Sequence, residues 1–209
     1  MLRHLLVFSL LVLSLDTYSQ VIEEIFDNGQ VKQTGLVKNG NKSGKWVFYY
    51  PDGTLEAIEH YISGELNGKA TYYDFTGNLI GEEIWVKGNL EDSAFYYYSS
   101  GVTEKKGVYK NGQYNGKWMF FHPNGVLKKI LFYEYGAPNG KWKYYSKNGV
   151  LLQEGQYLNG KEEGEWKFYT EKGRLQYLGS YKGGKRTGTW YIVNRRGKKK
   201  PLDYSDWDE

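Results

Sequence analysis

Three columns of glycine run through this chain at a constant step of 24 residues. One holds Gly40, Gly64, Gly88, Gly112, Gly136, Gly160 and Gly184. A second holds Gly53, Gly77, Gly101, Gly125, Gly149, Gly173 and Gly197. The third, Gly44, Gly68, Gly116, Gly140, Gly164 and Gly188, is interrupted only by Asp92. A fixed period of this length means one supersecondary unit stacked on copies of itself, each sheltering its neighbour's apolar side. Nearly the whole chain is thereby committed to scaffold.

The unit from Tyr133 to Gln156 reads as two extended segments separated by two glycine-bearing turns. Asn148-Gly149, Asn124-Gly125 and Asp52-Gly53 tolerate positive φ, which tight hairpin turns demand. Trp142 and Tyr144 share one face of a strand while Lys143 and Tyr145 share the other, because side chains alternate. On the following strand Leu151 and Tyr157 have the same parity, and so do Leu127 and Tyr133. Apolar residues recur at two rather than at three and four, which excludes helix. A lone 24-residue hairpin buries too little to offset about 1–2 kcal/mol of backbone ordering per residue. The expected fold is therefore all-β: an elongated, twisted antiparallel sheet of about seven tandem β-hairpin repeats, roughly 65–70 Å long.

These residues resemble the MORN repeat, and more closely the MORN-repeat variant of YwqK-type antitoxin-like proteins. The pattern Tyr-x-Asn-Gly-x-x-x-Gly-Lys-Trp-x-Phe/Tyr-Tyr-x-x-x-Gly-x-Leu runs from Tyr109 to Leu127, with Phe121 for its second tyrosine, and nearly so from Tyr157 to Leu175. The resemblance covers roughly Phe26 to Gly197. It implies an extended hairpin array used for protein–protein contact, in some relatives for membrane association, and by its antitoxin label a toxin partner.

The ends carry different messages. Arg3 and His4 precede an apolar run from Leu5 to Leu15, and Thr17 and Ser19 place small residues before a cut after Ser19. That is a signal peptide over residues 1–19, too short at eleven apolar residues to span a bilayer. Export to the periplasm, the cell surface or the medium is expected, with no transmembrane segment in the mature form. Residues 20–197 then form the array and 198–209 a charged tail. The chain has no cysteine, so disulfides and thiolate metal sites are excluded. Residues 20–104 carry 13 acidic and 6 basic residues, a net of −7, whereas residues 105–209 carry 10 acidic and 21 basic, a net of +11.

Catalysis finds no support. Beyond the leader only His60 and His122 are present, neither in a two-histidine motif nor beside a triad partner, and His122 reads as a surface strand position. No enzyme, no cofactor and no metal site is expected. Two features offer binding. The column Tyr49, Tyr73, Tyr97, Phe121, Tyr145 and Tyr169 faces away from the tryptophans, either as an aromatic ladder for a partner protein or as a second packed face. Lys182, Lys185, Arg186, Arg195, Arg196, Lys198, Lys199 and Lys200 crowd a stretch without an acid, either an anion-binding end for lipid or polysaccharide or a solvated cap. An exported chain seldom meets nucleic acid, so that partner is not expected.

The pattern breaks in the middle. Ala70 and Ala94 occupy the column of Trp46, Trp118, Trp142, Trp166 and Trp190, and Trp85 stands where other repeats have tyrosine. Two readings follow: repeat drift, or a specialised patch around Asp92, Ser93 and Ala94, with the Trp85 indole filling the vacated volume. The overall expectation is a non-catalytic exported scaffold for protein–protein interaction, antitoxin-like in one form. The alternative is an envelope-binding module for carbohydrate or anionic lipid.

Overall fold

A computed structural model describes residues 18–202, all of which belong to one open antiparallel sheet or to its turns. In chain order the strands are β1 (Ser19–Ile25), β2 (Val31–Lys38), β3 (Asn41–Tyr49), β4 (Leu55–Ile62), β5 (Glu65–Leu66) and β6 (Gly68–Tyr73). They continue with β7 (Leu79–Val86), β8 (Asn89–Leu90), β9 (Asp92–Tyr97), β10 (Thr103–Lys110), β11 (Gln113–Phe121) and β12 (Leu127–Glu134). The last are β13 (Ala137–Tyr145), β14 (Leu151–Leu158), β15 (Lys161–Tyr169), β16 (Leu175–Lys182), β17 (Lys185–Val193) and β18 (Lys199–Pro201). Each row pairs with the next, from β1–β2 through β17–β18, so the sheet is a plain meander. β5 with β6, and β8 with β9, each make one row interrupted at Asn67 and Glu91. At about 4.8 Å per row, the sheet is on the order of 70 Å along its stacking direction.

The expected all-β hairpin array is thus the observed fold, and at its C-terminal end it reaches one strand further, to β18. The leader falls on residues outside those described, except that Ser19 opens β1. Within the stretch assigned to a tail, Lys199–Pro201 pair with β17.

The glycine columns do three different jobs. Gly40, Gly64 and their successors sit second in two-residue turns whose first residue also has positive φ, as in Asn39 (51°) with Gly40 (79°). These are type I′ turns, whose twist matches the strands they join. Gly53 and its successors instead close five-residue loops. Gly53 N–H donates to the Tyr50 carbonyl (2.9 Å) and Tyr50 N–H to the Thr54 carbonyl (2.8 Å). That is a type I turn followed by a left-handed glycine. Only the glycine of Asp52-Gly53, Asn124-Gly125 and Asn148-Gly149 has positive φ, so these pairs are not the tight two-residue turns expected. The third column is no turn at all. Gly44 (φ 66°) lies inside β3, where Leu36 opposes Ser43 but Gly35 opposes Trp46, a bulge of two extra residues. Asp92 adopts φ 62° and keeps the same backbone shape at the break in the series.

Repeats are also stitched along one edge. The Gly64, Gly88, Gly112, Gly160 and Gly184 amides donate to the Lys42, Leu66, Leu90, Pro138 and Glu162 carbonyls of the preceding repeat at 2.8–2.9 Å. Along the opposite edge Tyr50 and Tyr98 hydroxyls donate to the Tyr73 and Phe121 carbonyls (both 2.9 Å). His122 belongs to this stitch: its Nε2 meets the Tyr145 carbonyl at 3.0 Å, so that nitrogen carries the proton. It is 5% exposed, a buried inter-repeat tie rather than the surface strand position expected.

The core is a single layer. Trp46, Trp118, Trp166 and Trp190 are buried although no second sheet covers them among the described residues. Each indole lies flat on a glycine of the neighbouring strand. A Cβ built on Gly35, Gly107, Gly155 or Gly179 would stand 2.1–2.3 Å from the ring of Trp46, Trp118, Trp166 or Trp190. Tyrosines stand edge-on between successive indoles: Tyr157 is 5.9 Å from Trp142 and 5.4 Å from Trp166, and Tyr181 is 5.7 Å from Trp166 and 5.1 Å from Trp190. Such edge-to-face pairs add roughly 0.5–1.5 kcal/mol each beyond burial.

Candidate binding faces

The sheet presents two open faces, one carrying the tryptophans and one carrying the tyrosine column. On the second, Tyr49, Tyr73, Tyr97, Phe121, Tyr145 and Tyr169 are each the last residue of their strand, beside a five-residue loop, and all are half-buried. The pairing register places Leu55, Leu79, Leu127, Leu151 and Leu175 opposite Tyr49, Tyr73, Phe121, Tyr145 and Tyr169. The bulge just beyond each leucine brings it to the tyrosine face, so its sequence parity with Tyr157 or Tyr133 does not describe its partner. Two of the phenols are held by carboxylates: Tyr97 donates to Glu82 (2.9 Å) and Tyr169 to Glu154 (2.6 Å). Burial first and then the neighbouring Glu82 push the Tyr97 hydroxyl up to about 12. The column is therefore neither a bare ladder nor a sealed layer; it is a ridge of anchored rings.

Beside Tyr145 and Tyr169, Lys141, Lys143, Glu154, Gln156, Glu165 and Lys167 line a cleft of about 440 Å³ floored by the bare backbone at Gly155. Gly155 directs no side chain to this face in any case, since its would-be Cβ points to the Trp166 ring on the other. Four of its five charges are paired, Lys143 with Glu154 at 3.7 Å and Lys167 with Glu165 at 2.8 Å.

The basic residues of the C-terminal end are all exposed, and the fold does not gather them. Lys182 and Lys185 face each other across the last type I′ turn, on one edge of the sheet. Arg195, Arg196 and Lys198 belong to the last five-residue loop on the opposite edge, the length of β17 away, about 25 Å at 3.3 Å per residue. Arg186 lies 5.0 Å over the Trp190 ring, while Lys199 lies 5.8 Å from the Tyr191 ring. Lys199 and Lys200 pair with Val193 and Ile192.

The central repeats are built differently. Asp92 is exposed, Ser93 lines a separate 300 Å³ cleft on the tyrosine face, and Ala94 is 1% exposed on the tryptophan face. Those three residues do not form one patch. The row that elsewhere reads Gly155–Trp166–Gly179–Trp190 across the strands reads Glu59–Ala70–Glu83–Ala94 here, with Ala70 opposite Glu83. A glutamate thus stands beside each alanine where other repeats set a glycine beside an indole, and the Trp85 indole donates to Glu83 (3.1 Å). Tyr96 donates to the same carboxylate (2.6 Å), and Tyr61 donates to Glu59. Burial, followed by these carboxylates, raises the Tyr61, Tyr72 and Tyr96 hydroxyls above the ordinary phenol range. Sequence reading noted the alanines but missed the glutamates; the signal was a column of Gly35, Glu59, Glu83, Gly107, Leu131, Gly155 and Gly179 running eleven residues ahead of the tryptophans.

Comparison with known proteins gives one family finding. The model of the MORN repeat variant matches four segments, residues 42–63, 114–135, 138–159 and 162–182. None of the four covers residues 66–112, which include both alanines. No curated protein matches the sequence. Among solved structures, a chain of the Tc holotoxin pore of Photorhabdus luminescens is 14% identical with a TM-score of 0.25, over 87% of this chain and 12% of that one. A TcdB2-TccC3 chain is 13% identical with a TM-score of 0.19, over 84% of this chain and 13% of that one. This chain therefore spans only about an eighth of those chains.

Proposed function

We propose that this repeat scaffold is non-catalytic, acts after export, and binds another protein along its tyrosine face. The observation that carries the reading is the ridge itself. Six aromatic residues occupy the same strand-end position on alternate rows, at spacings of about 9–10 Å, on a face with no covering layer among the described residues. Half-buried, anchored rings offer contact area at little further cost in side-chain entropy, as interface anchors do. The matches to a repeat variant used for binding support the same reading. A cut after Ser19 would leave Gln20 as first residue and preserve the β1–β2 pairing from Gln20 onward.

A photo-crosslinking residue placed at Tyr73 or Tyr145 in the producing cell should yield one discrete adduct, and one at Tyr135, on the opposite turn edge and 81% exposed, should not. Adducts from Tyr135 alone, or from none of the three, would refute the assignment. The N-terminal residue and compartment of the recovered protein test export. An antitoxin-like role is the special case in which the adduct is a toxin whose effect co-expression relieves.

A second reading rests on the exposed basic end, a stretch without an acid from Tyr181 to Leu202: binding of anionic lipid or acidic polysaccharide. Vesicle and polysaccharide pulldowns at two salt concentrations, with Lys198, Lys199 and Lys200 changed to Gln, distinguish it from the first.

A further inference from the structure

We propose that the tryptophan face of the central repeats is a receptor trough for lysine or arginine side chains of a partner polypeptide. This goes beyond the tyrosine-face reading, since it lies on the opposite side of the sheet and concerns different residues.

The trough has a small-residue floor of Ala57, Ala70, Gly81 and Ala94, all buried. Tyr72, Trp85 and Tyr96 stand around it, and Gly81 lies in van der Waals contact range of both tyrosine rings, at 3.5 Å from a would-be Cβ. Glu83 rises in the middle. Its two oxygens accept from Tyr96 and Trp85, both neutral donors, and it has no ion-pair partner among the described residues. A carboxylate has room for about four hydrogen bonds, so acceptor capacity remains.

The rest of the same face shows what such a place holds. Lys42 sits 4.3 Å over Trp46 and 4.4 Å over Phe48, Lys105 sits 4.2 Å over Tyr96, and Lys129 sits 4.3 Å over Phe120. Arg186 does the same over Trp190. Four aromatic clusters are therefore capped by cations of their own chain. Lys105 and Lys129 occupy one repeat column, and one and two steps earlier that column holds Gly81 and Ala57. That column holds no cation at Ala57 and Gly81, two residues before Glu59 and Glu83, nor at Gln33, Gln153 and Tyr177. Lys42 beside Glu59 and Lys105 over Tyr96 bound the stretch, and between them the half-buried Tyr72, Trp85 and Glu83 carry no cation among the described residues. The acidic balance of residues 20–104, a net of −7, attracts a basic segment from a distance.

The test uses the full chain and a fluorescent peptide of four arginines alternating with glycine, read by anisotropy, with its citrulline counterpart as the neutral control. The arginine peptide should bind and the citrulline peptide should not. Glu83→Gln, which keeps one oxygen acceptor, should weaken binding about tenfold or more, while Glu104→Gln, an exposed acid outside the trough, leaves it unchanged. Gly81→Lys restores the lysine register of positions 105 and 129 at a site with ordinary Cβ clearance, and should block the peptide while the melting curve stays native-like. Equal weakening by Glu104→Gln and Glu83→Gln, or binding untouched by Gly81→Lys, would overturn the proposal. Glutamate-dependent self-association in sedimentation would overturn it too, by making the occupant a second copy.

Discussion

Two stretches of one sheet solve the same packing problem in opposite ways. From Trp166 to Trp190 the open face is closed by indoles lying on glycine backbone, with tyrosines edge-on beside them. From Ala57 to Ala94 the large residue is gone and a glutamate occupies the position of the glycine. A flat ring on bare backbone excludes water without a second layer, because glycine lets the ring approach to contact distance. A carboxylate cannot do that; it needs donors, and Tyr61, Trp85 and Tyr96 supply them. The exchange of glycine for glutamate and of tryptophan for alanine is therefore one coupled change, not two independent drifts. The first arrangement serves cohesion, and the second leaves a charged, partly wetted surface.

The largest effect expected from this contrast is at the indoles. Trp166→Ala should cost about 3–5 kcal/mol in a denaturant melt, as large-to-small core changes do. A loss under 1 kcal/mol would mean that the single layer is not the core.

Glycine substitutions sharpen the contrast further. Gly179→Ala drives a Cβ to 2.1 Å from the Trp190 ring and should cost about 2–3 kcal/mol, whereas Gly81→Ala meets its nearest ring at 3.5 Å and should cost under about 1 kcal/mol. Equal losses at the two sites would erase the distinction between the two regions.

Smaller again is Glu83→Gln. The amide still accepts a hydrogen bond, so thermal stability should change by about 1 kcal/mol or less at neutral pH.

The last prediction concerns the slope of stability against pH and is read only in base. Tyr157 is pushed up to about 12 by burial and then by Glu162, while burial and Glu83 raise Tyr72 and Tyr96 beyond that. A phenol whose folded value exceeds its unfolded one holds its proton longer when folded, so its contribution to stability is full below about pH 10 and declines as pH rises further. Absorbance at 295 nm should show Tyr157 ionising in the folded protein near pH 12, with the Tyr72 and Tyr96 contribution arriving only on unfolding. Tyr96→Phe should make the alkaline loss of stability less steep.

Much of this was legible in the residues. The period, the hairpin unit, the alternating faces around Trp142 and the single all-β array follow from local rules repeated seven times. What escaped did so for identifiable reasons. A glycine at positive φ looks the same in sequence whether it makes a turn, as Gly40 does, or a bulge, as Gly44 does. A bulge inserts a residue and resets which side the next one faces, which is why Leu151 opposes Tyr145. His122 looked exposed because its partner carbonyl lies 23 residues away, one repeat on. The tyrosine ridge and the basic end were both named in advance, but only the ridge is gathered on one face; the lysines and arginines divide between two edges.

The sequence by itself determined the unit and its number, because a 24-residue step with glycine at its turns admits one kind of hairpin and one direction of stacking. Only the tertiary structure decided which glycine lies under which indole, and where a glutamate stands in for it. Those matches join residues eleven apart across a bulged pair of strands, and their meaning depends on the ångström-scale gap between a ring and the backbone beneath it. That gap belongs to the assembled sheet and to no single segment of the chain.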